Sequence, residues 1–125
     1  MRRIVLSAAL FLCLATTPSA HAGKLLASPV IPGDASGQLG CYVTNVDAKP
    51  ITVAATLRDE LGNPVSASTT TCASTGILPA GHTCFVLRDP APSYGRCEVV
   101  SSSSKVRVSV SFIKGTDVVV WAPLP

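Results

Sequence analysis

Four cysteines, Cys41, Cys72, Cys84 and Cys97, are the side chains of this chain best suited to covalent or metal chemistry. Their spacing separates the options. A structural zinc site favours close pairs of the C-x₂-C kind, and the nearest two here are Cys72 and Cys84. A redox-active C-x-x-C pair is missing as well, which argues against an oxidoreductase. Disulfides are the expectation. Four cysteines allow three connectivities. The favoured one joins Cys41 to Cys97, tying an early strand to a late one, and Cys72 to Cys84, closing a local loop. Chain-entropy reasoning assigns roughly 4 and roughly 3 kcal/mol to the two closures. No metal and no cofactor is expected.

Disulfides need an oxidising compartment, and residues 1–22 read as the route to one. Arg2 and Arg3 form a positive n-region, Ile4 to Ala15 an apolar h-region, and Ala20-His21-Ala22 a small-x-small cleavage site before Gly23. Cys13 follows Leu12 rather than a small residue, so it reads as an ordinary h-region residue and not a lipid-anchored cysteine. Cleavage leaves 103 of the 125 residues, one domain's worth, spanning 23–125. Losing Arg2 and Arg3 leaves eight basic against seven acidic residues, so the net charge drops from +3 to +1. Such a balance makes no case for nucleic acid or an anionic membrane surface. No apolar run after the signal reaches the roughly 20 residues of a membrane span. The expected location is the periplasm or the exterior.

Other candidate chemistry is sparse. His82 is the one histidine beyond the signal, set in a proline-glycine turn. A Ser-His-Asp triad needs its partners close only in space, but no G-x-S-x-G nucleophile elbow is present. Asp34, Asp47, Asp59, Glu60, Asp89, Glu98 and Asp117 fall mostly at turn positions, where Asp serves backbone hydrogen bonding. Asp59-Glu60-Leu61-Gly62-Asn63 does not match a calcium loop. Phosphate-cradling glycine loops and N-x-[ST] sequons are missing. Catalytic residues are therefore expected to be none.

The elements that must position these residues alternate with period two. Leu25 to Ile31 suits a first edge strand, tolerant of Pro29. Gln38 to Val46 alternates Cys41, Val43 and Asn45 against Tyr42, Thr44 and Val46. Ile51 to Arg58 places Ile51, Val53, Ala55 and Leu57 on one face. Gly62 and Asn63 are candidates for positive φ in the next turn. Val65 to Cys72, rich in Ser and Thr, reads as an exposed or edge strand. Thr83 to Arg88 and Cys97 to Val100 follow, separated by a proline-containing loop from Asp89 to Gly95. Lys105 to Ile113 directs Val106, Val108, Val110 and Phe112 inward and Arg107, Ser109 and Ser111 outward. Asp117 to Ala122 is apolar on both faces, as expected of a central strand or one that meets a partner, with Phe112 and Trp121 as core aromatics. Seven to eight short strands with regular turn signals predict an all-β antiparallel sandwich.

Val43-Thr44-Asn45, Pro50, the Ile51 to Leu57 strand, Asp59 to Asn63 and then Leu78-Pro79-Ala80-Gly81-His82 together resemble immunoglobulin-like and fibronectin-like bacterial modules. The chain beyond the signal is similar to small exported bacterial proteins with this cysteine order. The resemblance implies an immunoglobulin-like, disulfide-stapled sandwich and no active site. It departs from antibody-type domains, because Trp121 lies in the final strand and not between bridging cysteines. The expected role is a non-catalytic binding, adhesion or structural module of the cell envelope, meeting a protein partner or a second copy of itself. Contact is expected through a loop, Asp89 to Arg96 with Asp89, Tyr94 and Arg96, or by strand addition at an edge. The alternatives are a small secreted enzyme inhibitor presenting a stapled loop, and an exported hydrolase using His82.

Overall fold

The computed structural model describes residues 23–123. The signal-peptide reading of residues 1–22 lies outside them. Within them the chain forms eleven strands and no helix. Seven strands have four residues or more: β1 (Lys24–Ala27), β3 (Gln38–Asn45), β4 (Ile51–Asp59), β8 (Thr83–Arg88), β9 (Tyr94–Ser101), β10 (Val106–Lys114) and β11 (Asp117–Pro123). Four two-residue strands join them: β2 (Ile31–Pro32), β5 (Pro64–Val65), β6 (Thr69–Thr70) and β7 (Ile77–Leu78).

Two antiparallel sheets pack as a sandwich. One runs β1-β9-β4-β5, with β2 also on β9 and β7 also on β4. The other runs β11-β10-β3-β8-β6. Period-two alternation is the reason for the layers: each long strand sends every second side chain to a shared interior. Leu39, Cys41 and Val43 of β3, Ile51, Val53 and Leu57 of β4, Cys97 and Val99 of β9, and Val108, Val110 and Phe112 of β10 fill it. Cys41 bonds to Cys97 across the layers with Cα atoms 5.6 Å apart, and Cys72 bonds to Cys84 with Cα atoms 4.8 Å apart. This is the connectivity favoured by the spacing.

Several expectations change. The first strand is divided, because Ser28 leaves the regular ladder: its hydroxyl accepts the Cys97 N–H at 2.8 Å, and Pro29 after it has no N–H to offer. Val65 to Cys72 is not one strand. β5 pairs with β4 in one sheet and β6 with β8 in the other, so this polar stretch carries the chain between layers. Tyr94 to Arg96 belongs to β9, which shortens the preceding loop to residues 89–93. Gly62 has a φ of 82°, whereas Asn63 does not adopt positive φ. Ser111 is buried although it points away from the interior: it pairs with Gly40, over which Tyr42 and Leu87 close on the outer face. Phe112 is a core residue; the side chain of Trp121 lies outside what the structure describes. Finally, β11 is an edge strand and not a central one.

Candidate functional site

Alternation along β9 builds the most polar face of the six-stranded sheet. Gly95, Cys97, Val99 and Ser101 are buried, which turns Tyr94, Arg96, Glu98 and Val100 outward. Antiparallel register sets Arg58 of β4 opposite Arg96, and Thr56 opposite Glu98. Arg58 then reaches diagonally to Glu98 and holds both of its oxygens: Nε donates to Oε2 at 2.9 Å and Nη2 to Oε1 at 3.1 Å. Its third nitrogen, Nη1, donates to the Gly62 carbonyl at 2.9 Å, tying the pair to the β4–β5 turn. This bidentate fork is the strong geometry for an arginine and a carboxylate.

Arg96 is the second cation on a carboxylate already used. Its Nη2 is 3.8 Å from Glu98 Oε2, an ion pair without a hydrogen bond, and its buried Nε has no hydrogen-bond partner among the described residues. The three side chains together carry one surplus positive charge. Tyr94, two residues along the same face, is 50 % exposed. The third residue of the expected contact loop, Asp89, lies elsewhere in the hydrogen-bond network. Its carboxylate accepts from Gln38 Nε2 at 3.0 Å, its N–H donates to Ser68 Oγ, and its carbonyl accepts from that same hydroxyl. Asp89 fastens its loop to the segment between β5 and β6, while Tyr94 and Arg96 stand on a strand. Sequence reasoning placed all three on one loop. It missed Arg58 and Glu98, whose pairing depends on the β4–β9 register.

His82 is exposed and acts through its backbone, its carbonyl accepting from Asn45 N at 2.9 Å and its N–H donating to Pro79 O at 3.1 Å. Among the described residues no three His, Cys, Asp or Glu side chains gather closely enough to hold a metal ion. An open concavity of about 670 Å³ lies at the opposite end of the sandwich from Tyr94, lined by Asp47, Lys49, Pro50, Ile51, Thr52, Ile77, Ser102 and Ser103. Asp47 is its one carboxylate, and it is engaged by the Ser103 hydroxyl at 2.9 Å and the Ala48 N–H at 2.7 Å.

Three carboxyls are held below the usual carboxylate range by hydrogen bonds to the charged form. For Asp34 the main donor is the Ser36 hydroxyl, and for Asp47 it is the Ser103 hydroxyl. For Asp59 the Asn63 N–H contributes most, with the Asn63 side-chain amide and the Leu61 N–H adding to it. A carboxyl whose pKa is lowered by folding adds stability above its unfolded pKa and loses that contribution as pH falls through the folded value. Stability should therefore decline as pH drops from about 5 towards about 2. In Asp59→Asn the decline should be shallower, with the β4–β5 turn loosened at neutral pH. Urea midpoints measured at several pH values check this. An unchanged pH slope in Asp59→Asn would remove Asp59 from the account.

Comparison with known protein families, with curated proteins and with solved structures finds no match to this chain.

Proposed function

We propose that this chain is a non-catalytic, exported binding module of the bacterial cell envelope, an immunoglobulin-like sandwich in the broad sense. Support for the fold reading comes from two antiparallel sheets joined by a buried disulfide between β3 and β9. Support for the location comes from the signal-like residues 1–22 and two disulfides.

The observation that carries the binding reading is the surplus guanidinium of Arg96. It stands on a strand pinned by the adjacent Cys97 bridge, beside an exposed tyrosine, with its neighbouring carboxylate already taken by Arg58. Arginine and tyrosine are enriched where protein surfaces bind tightly. A rigid strand lowers the ordering cost of presenting them. A partner offering a carboxylate would complete the Arg96 fork as Glu98 completes that of Arg58.

Photo-crosslinking in the producing cell tests this. A photoreactive residue replacing Tyr94 should give a discrete adduct with an envelope protein, and Arg96→Glu in the same chain should abolish it. The same residue replacing Thr83, on the other sheet, should give none. An adduct at Thr83 equal to that at Tyr94, or one indifferent to Arg96→Glu, would overturn the assignment of this face.

A further inference from the structure

A second surface stands on the other sheet, independent of Arg96. Strand β11 pairs with β10 along one side, and among the described residues no strand pairs with its outer side. This free edge is seven residues long, whereas β6, the opposite edge of the same sheet, has two. Free edges expose unpaired N–H and C=O groups, and natural sequences usually blunt them with short strands, lysine, proline or bulges. Here Asp117 and Pro123 stand at the ends, and a single bulge lies between them. Between them run Val118, Val119, Val120, Trp121 and Ala122. The β10–β11 register shifts between Phe112 and Ile113, leaving Val119 without a partner position on β10. Val118 and Val119 are 59 % and 55 % exposed.

We infer that β11 pairs antiparallel with β11 of a second copy of this chain, joining two five-stranded sheets into one continuous sheet about a two-fold axis. The strand is its own best complement. With the axis at Val120, Val118 takes the register position opposite Ala122 of the second copy, and Val119 the position opposite Trp121. The segment is apolar on both faces, so it needs a strand that is apolar on both faces, and β11 itself is one. Charge selects the direction. Asp117 is the one charged residue of the strand. Antiparallel pairing sets it opposite Pro123, with the two Asp117 residues at opposite ends of the ladder. Parallel pairing would set Asp117 beside Asp117, a like-charge contact that is destabilising. An isologous contact of this kind closes on itself and stops at the dimer.

The test is sedimentation velocity on the purified protein from about 1 µM to about 300 µM. A concentration-dependent dimer is expected. Val119→Lys and, as a second variant, Val118→Lys should each weaken it by roughly tenfold or more, since a buried unpaired lysine is costly at a paired edge. Thr69→Lys on the β6 edge should leave it unchanged. Amide exchange of the unsubstituted protein gives an independent reading, with added protection in the dimer expected at residues 118–122. A monomer at every concentration overturns the inference. So does a dimer insensitive to both β11 lysines, or one whose added protection lies outside β11.

Discussion

Replacing Cys41 and Cys97 together by alanine should lower the unfolding free energy by about 2–5 kcal/mol, the largest effect expected of any pair in this protein. Two physical terms combine. The bridge closes a span of 56 residues and so restricts the unfolded chain strongly. Its sulfurs also lie in the interior, both cysteines being 0 % exposed among Leu39, Val43, Val99 and Val110. Alanine at both positions leaves a cavity in addition to releasing the chain. The internal comparison is Cys72→Ala with Cys84→Ala. That bridge spans 12 residues, and Cys72 is only partly buried, so its removal should cost less. Urea unfolding of the two double variants under the same oxidising conditions decides the matter. Should the Cys72–Cys84 variant prove the less stable, the interior bridge is not the main staple.

Asn45→Ala should destabilise by about 1–3 kcal/mol, far more than an ordinary polar-to-alanine change. Asn45 closes the end of β3 and is 0 % exposed. Its side-chain amide donates to Lys49 O at 3.0 Å and to Leu78 O at 2.9 Å, and its Oδ1 accepts from Asp47 N at 2.8 Å. Its backbone exchanges hydrogen bonds with the Gly81–His82 turn. One residue thereby fastens the β3–β4 turn and the β7–β8 turn to each other. Alanine removes all three of these side-chain bonds, the one to the Leu78 carbonyl being buried. Asn45→Asp preserves size and should be no milder at neutral pH, since a carboxylate cannot donate to two carbonyls and its charge is disfavoured by burial. Stability of both variants, together with amide exchange at residues 46–50 and 79–82, is the measurement. Loss confined to one turn would show that Asn45 does not join them.

The strands with clean alternation were legible because burial on one face leaves a direct imprint on residue type. Gln38–Asn45, Ile51–Asp59, Thr83–Arg88 and Val106–Lys114 fall within a residue or so of their expected bounds. The disulfide pairing was legible for a related reason. Cys41 lies on an early strand and Cys97 on a late one, and Cys72 and Cys84 are near enough in sequence to close a local loop, which favoured this pairing among the three possible. Polar stretches carried less information. Val65 to Cys72 has no apolar phase to assign it to a layer, and it proved to be the crossing between layers. Asn45 fitted the alternation, but alternation cannot say that a polar residue in an inward position will be satisfied by two distant carbonyls.

From its residues alone, this chain determined an all-β sandwich and its inward faces and favoured one of three disulfide pairings, because these follow from local periodicity and from cysteine spacing. Tertiary structure alone decided which strands became neighbours. That choice set Arg58 across from Arg96, gave Glu98 to Arg58, left Arg96 with the surplus charge, and put an apolar β11 at an edge. Strand order is a property of long-range packing, in which many pairings satisfy the same alternation and only the assembled core selects among them.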